Sequence, residues 1–348
     1  MATLNRLDRV ALTLGNRELV LLAVAVALLL TVTPFVIDQG MLTLLIEVGT
    51  LIAMVQMWNL LAGFAGLVSM GHQVFVGLGA YTLFFFSNAT GISPYWSLVS
   101  APIVCGLFAA IIAPMLLRLR DAHFAIGMWV LAEMVAIIVS IVPWFGRSYG
   151  ITLFGIGDLD REWFIPICFW LSGFLALASV MLSLVLLRSR VGLGLMAVRD
   201  NEVAAAALGV NVWASRLLIL VISGAGTGLA GAVYYLSAFQ VVPSSAFNPN
   251  WAVLMLFITI IGGVGNLVGP LVGIILYFAI REIFVDAGNW TFIVLGAMGS
   301  LIMLVAPKGL WGSLAARFGL DLLTVRRRPQ SARLAHLPGK STENDQTS

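Results

Sequence analysis

Apolar residues run along this chain in blocks of about 20, each closed by a short polar or glycine-rich interruption. A helix of that length reaches across the roughly 30 Å hydrocarbon core of a bilayer. The pattern therefore predicts an all-α, polytopic transmembrane helical bundle. Ten blocks stand out: Leu19–Ile37, Met41–Ala62, Leu67–Phe86, Pro94–Leu117, Phe124–Val142, Trp163–Leu187, Arg216–Ala238, Phe247–Gly262, Leu267–Val285 and Trp290–Val305. The eighth and ninth form one uncharged stretch, Trp251 to Ile280, which as a single helix would be about 45 Å long. Gly262, Gly263, Gly265, Asn266, Gly269 and Pro270 at its middle predict a tight turn there.

Basic residues set the orientation, because short cytoplasmic loops carry an excess of Lys and Arg. With Arg6, Arg9 and Arg17 inside, Arg118, Arg120 and His123 fall inside after four crossings, and the 189–216 loop after six. Lys308, Arg317 and Arg326–Arg328 fall inside only if 251–280 crosses twice. Within a range of eight to ten crossings, ten are expected, with both termini cytoplasmic. The domain organisation is then a cytoplasmic segment over 1–18, a transmembrane domain over 19–312, and a cytoplasmic tail over 313–348. The tail is polar from Pro329 and is expected to be largely disordered. The basic N-terminus lacks a small-residue cleavage site, so Leu19–Ile37 reads as a span rather than a cleaved signal. Outside, the long loop is Trp144–Glu162, and Trp311 is an expected interfacial anchor.

Composition agrees. Hydrophobic residues make up 60% and charged residues 10% of the 348, against roughly 25% charged in soluble domains. The net charge of +3 is accounted for by loop and tail arginines, without nucleic acid. Cys105 and Cys168 lie in apolar runs with no CxxC or His/Cys cluster, so they read as small buried hydrophobes, and no metal site is expected. HExxH and P-loop motifs are absent. If ATP drives this protein, another chain binds it.

Three polar features interrupt the apolar background. Ser189 to Arg216 is too polar for hydrocarbon; Asp200 or Asn201 can cap a short helix with Glu202 in its first turn, ended by Gly209. Gly63 to Gln73 places Ser69, Gly71, His72 and Gln73 between two spans, as a polar kink on a translocation path or as a packed hairpin with His72 bonded internally. Glu47, Gln56 and Glu133 lie within spans, where carboxylates are costly and mark functional sites by default. A protonated carboxyl or a structural pair with Arg281 remains the alternative. Gly224, Gly228 and Gly231, and the Gly269/Gly273 pair, offer small faces for close helix approach.

Taken together, four segments resemble the integral-membrane permeases of branched-chain amino-acid ABC importers, the LivM-like type, over roughly residues 40–312. They are Trp58–His72 with Gly77, Gly79, Ala80 and Tyr81; Phe124-Ala125-Ile126 followed by Glu133; Gly192–Glu202 with Ala205–Gly209; and Ile261–Asn266 with Gly269, Pro270 and Gly273. The resemblance implies a multi-pass subunit of the bacterial cytoplasmic (inner) membrane that pairs with a second homologous permease. It further implies two ABC ATP-binding proteins, which carry ATP and Mg so that this chain binds no cofactor, and a periplasmic or lipid-tethered solute-binding protein. On that reading the 189–216 loop holds a cytoplasmic coupling helix, with Arg199, Asp200, Asn201, Glu202, Ala204, Ala205 and Gly209 at the ATPase. Asn59, Ser69, Gly71, His72, Gln73 and Glu133 are path candidates, and Gly262, Gly263, Gly265, Gly269 and Pro270 serve packing and the turn. Two departures stand out. Gly146–Thr152 replaces the family's TGG stretch, and Glu202 comes one residue early for an EAAxxxG loop. The substrate stays open among branched-chain or related amino acids, urea or small amides, and aromatic acids. The competing class is a stand-alone carrier or channel, ion-coupled through Glu133 and Glu47. An intramembrane enzyme lacks any nucleophile–base pair.

Overall fold

The structure is a computed structural model that describes residues 16–153, 161–283, 290–306 and 309–318. In chain order its helices are α1 (Asn16–Val32), α2 (Gln39–Asn59), α3 (Gln73–Thr90), α4 (Pro94–Ser97), α5 (Ser100–Leu116), α6 (Asp121–Ile141), α7 (Arg161–Arg188) and α8 (Arg190–Asp200). They continue as α9 (Glu202–Ala207), α10 (Val212–Ala238), α11 (Pro243–Ala246), α12 (Asn250–Gly262), α13 (Gly269–Ile283), α14 (Trp290–Val305) and α15 (Gly309–Phe318). Two short strands, β1 (Ile151–Thr152) and β2 (Gln240–Val241), pair antiparallel with Ile151 opposite Val241.

Each of the ten apolar blocks contains a helix, so the polytopic all-α architecture is as expected. Six helical stretches among the described residues are long and apolar enough to cross a membrane alone: Gln39–Phe64, Pro94–Leu116, Asp121–Ile141, Glu162–Arg188, Val212–Ala238 and Pro243–Gly262. The turn expected within 251–280 is present. α12 stops at Gly262, Gly263 (φ 126°) and Gly265 (φ 73°) redirect the chain, and α13 starts at Gly269.

Three boundaries differ from expectation. The third span was placed at Leu67, yet α3 begins only at Gln73. Before it, α2 widens into a π-turn over Leu60–Phe64 and Gly66 turns left-handed (φ 74°), which releases 66–72 from any helix. The Ser189–Arg216 loop holds two helices before α10 rather than one. The stretch around Trp311 is helical through Phe318, past the expected end of the membrane domain at 312. Of the expected outer loop, 154–160, with Asp158 and Asp160, lies outside the described residues; so do Arg6, Arg9, Lys308, Arg326–Arg328 and the tail from 319.

α10 is the central element, packed on α2, α3, α5 and α7. Its glycines explain the closeness. A Cβ on Gly228 would strike the Cys105 sulfur, and one on Gly231 the Val76 backbone; from the α3 side, one on Gly79 would meet the Gly228 carbonyl. Around this seam Trp58, Phe75, Tyr81, Phe84 and Phe124 are fully buried. Contacts sort the connections into two ends. At one, Gly63 meets Arg199 and Gly265, and Gly309 abuts Gly263. At the other, Asn88 bonds the Thr152 carbonyl (2.9 Å) and Leu153 N–H bonds the Phe239 carbonyl (3.0 Å) beside the strand pair.

Candidate functional site

The 189–216 loop owes its shape to three local caps. Ser189 Oγ accepts from Gly192 N–H (3.4 Å) and starts α8, the helix the sequence reading lacked. Asn201, extended at φ −158°, separates α8 from α9 and accepts from Ala204 N–H (3.0 Å). Of the two expected caps it is Asn201 that acts. Asp200 instead pairs with Arg199 (2.9 Å). α9 ends as expected at Gly209, whose φ of 84° requires glycine although a Cβ there would meet nothing. Glu202 binds Arg216 at 3.0 Å and ties α9 to the start of the second turn of α10.

Ala204 and Ala205 differ in exposure. Ala205 is 1% exposed, whereas Ala204 stands free, flanked by Val203 (80% exposed) and Leu208 (83%). Two nearly bare aliphatic side chains thus stand on one otherwise polar loop. The sequence reading took in both as part of the 203–209 run without singling them out. Their spacing around the alanine run was visible, but which face of so short a helix would be buried was not.

Arg199 reaches away from that surface. Its Nη1 donates to the Gly63 carbonyl at 2.8 Å, at the π-turn that ends α2. Asn59 completes the joint: Nδ2 donates to the Asn266 carbonyl (2.9 Å) while Oδ1 accepts from Gly265 N–H (3.0 Å). Gln56 Nε2 donates to the Leu267 carbonyl at 2.7 Å. Gly262, Gly263, Gly265, Gly269 and Pro270 form the other half of this contact, packed so that a Cβ on Gly63 would strike the Gly265 backbone. Three chain segments remote in sequence thus meet at one end of the bundle.

The remaining path candidates divide. His72 is fully buried, its Nδ1 3.1 Å from Ser69 Oγ and its Nε2 2.8 Å from Ser223 Oγ; Ser223 in turn donates to the Met57 carbonyl (2.8 Å). Trp58 donates to the Ser69 carbonyl (2.8 Å), and Gly71 lies against the Met128 backbone. This is the internally bonded hairpin of the sequence reading. Beside it, Gln73 is buried with neither amide atom partnered among the described residues, an imbalance that normally draws in water or a ligand. Glu133 sits elsewhere, half-buried on α6. Its Oε1 accepts from Trp129 Nε1 (3.2 Å), and it lines a cleft of about 350 Å³ with Ser140, Ser148, Ser244 and Asn248. Glu47 binds Arg281 at 2.7 Å, the structural pairing weighed from the sequence, so the two intramembrane carboxylates have different surroundings.

No solved structure matches the chain. The branched-chain amino acid permease LivM of Escherichia coli is 27% identical over 83% of this chain and 74% of its own length, and that of Salmonella typhimurium is 26% identical over 83% and 73%. The nucleoside ABC transporter permease NupC of Lactococcus lactis is 28% identical over 49% of this chain and 58% of its own length. Residues 40–306 match the family described as "Branched-chain amino acid transport system / permease component". These helices, their glycine seams and the capped 189–216 loop are therefore those of a multi-pass ABC-transporter permease component, and the chain belongs to that family.

Proposed function

We propose that this chain is one of two permease subunits of an ATP-driven importer of branched-chain or closely related amino acids in a bacterial inner membrane. A homologous permease completes the path. Two separate ATP-binding subunits bind ATP and Mg and dock on α9, and a solute-binding protein delivers substrate at the Asn88 end. The chain crosses ten times with both termini and the Gly63 end cytoplasmic. That arrangement is supported by the way contacts join only connections that charge parity assigns to one side.

The observation that carries this reading is the construction of the 189–216 loop. It presents Val203 and Leu208 outward while Arg199 grips the end of α2. A partner that moves α9 would thereby move α2, the α12–α13 turn and α10 together, which is what alternating access requires of an importer driven from outside the membrane. A stand-alone ion-coupled carrier has no use for such a surface. Among substrates, amino acids are favoured over nucleosides because the LivM relatives align along most of the chain and the nucleoside permeases along half.

The test is Val203→Glu with Leu208→Glu in the complete complex. Both positions are exposed, so the fold survives, whereas a substitution at buried Ala205 would confound docking with folding. Expected is normal membrane insertion, loss of co-purifying ATP-binding subunits and loss of leucine uptake. Uptake at the unmutated rate would refute the docking role.

A further inference from the structure

Two neighbouring cavities are linked by a hydrogen bond: Trp129, in the wall of the smaller, donates to Glu133, in the wall of the larger. The larger, about 350 Å³, opens between α6 and the 243–249 segment towards the Asn88 end, and lies at the lower end of volumes that hold small molecules. Among the described residues, Glu133 is the one ionisable residue in its wall, beside hydroxyls and an amide from Ser140, Ser148, Ser244 and Asn248. The smaller, about 150 Å³, lies one helical turn nearer the Gly63 end and is lined by Met70, Trp129, Ala252, Val253 and Leu256. Pro249 borders both.

Glu133 lies about 12 Å inside the end of α6 at Ile141, well within the span. There a carboxylate needs a cation or water. Among the described residues no basic side chain pairs with it; its one hydrogen bond is from the Trp129 indole. The cleft thus offers an unneutralised acceptor next to polar donors, and beyond the indole a pocket with almost no polar surface. We propose, resting on the importer reading above, that Glu133 and Trp129 form the point where the pathway recognises the ammonium group of a zwitterionic amino acid. The apolar pocket beyond receives its aliphatic side chain. The arriving ammonium competes with the indole N–H for the carboxylate, and Trp129, released from it, opens the mouth of the apolar pocket. A nucleoside, which carries no ammonium, gains nothing at Glu133.

The experiment uses the complete complex carrying Ser140→Cys, whose thiol replaces a hydroxyl in the cleft wall. The native Cys105 and Cys168 are fully buried, so maleimide modification reports the introduced thiol. Leucine at about ten times its dissociation constant is expected to slow modification by about tenfold. 4-Methylpentanoate, the same skeleton without the amine, is expected not to protect. Adding Glu133→Gln should abolish leucine's protection. Equal protection by both compounds, protection that survives Glu133→Gln, or no protection by leucine would each overturn the proposal. The importer's substrate assignment fails separately, on unmutated protein, if the complex takes up guanosine and not leucine.

Discussion

Arg199 shows how one side chain links a surface loop to the membrane domain. Its guanidinium is divided between Asp200, which is largely in water, and the Gly63 carbonyl, which is not. The two bonds should differ in weight: the exposed pair is worth little, whereas a hydrogen bond from a charged group to a sheltered carbonyl contributes about 1.5–3 kcal/mol. Arg199→Ala is therefore expected to cut leucine uptake by about tenfold while the assembled complex still hydrolyses ATP, and Asp200→Ala to leave uptake near normal. Equal losses in the two variants would place the function in the surface pair instead. The capping roles of Asn201 and Gly209 were legible because a cap is a local matter of three or four residues. The Gly63 contact was not, since its partner lies 136 positions away and nothing in either segment names the other. Trp129 and Glu133 fall between these cases: their separation of four puts them on one helix face, so the pair could have been read from spacing alone.

At the scale of elements, glycine marks where helices touch, and the consequences can be ranked. A Cβ on Gly79 of α3 runs into the Gly228 backbone of α10, whereas one on Gly106 of α5 would rest 3.6 Å from Ala225. Gly79→Ala is expected to lower stability by about 1–3 kcal/mol through overpacking. Gly106→Ala should be neutral or slightly stabilising, since alanine is the better helix former. Thermal unfolding of the detergent-solubilised protein compares the two; a larger loss at Gly106 would contradict the packing described. The sequence identified the Gly224–Gly228–Gly231 face as a contact but could not say with which helix. It also placed the start of α3 six residues early, because apolar residues such as Leu67 and Val68 satisfy a hydropathy pattern whether or not the backbone is helical. The break depends on Gly66 adopting a left-handed conformation, and on Ser69 and His72 finding partners on α2 and α10.

For the whole molecule, the polytopic all-α character was readable because about 20 apolar residues have few alternatives to spanning a bilayer. What the pattern left open is how the shortest pieces are used. α13, of 15 residues, is about 22 Å long, less than the hydrocarbon thickness; α12, of 13 residues, reaches a spanning length only together with α11, and the two meet at the Asn59 joint. If they and α14 complete three crossings, a thiol at Thr90→Cys reacts with an impermeant maleimide added to spheroplasts. Ala206→Cys and Leu314→Cys would then react only after permeabilisation. Labelling of Leu314→Cys from outside would reduce the count by one and put the two chain ends on opposite faces.

α10, at 27 residues and so about 40 Å in length, has a consequence beyond packing. At one end the Arg216–Glu202 pair fastens it to α9, and at the other it runs through Phe239 into the strand pair with 151–152. If α10 tilts as a rigid rod about its midpoint, about ten degrees displaces each end by about 3 Å, in opposite senses. On the importer reading proposed above, delivery of substrate at one membrane face and nucleotide turnover at the other would become two readings of a single angle, and a receptor docked over the strand pair would feel the hydrolysis cycle without any rearrangement inside the helix.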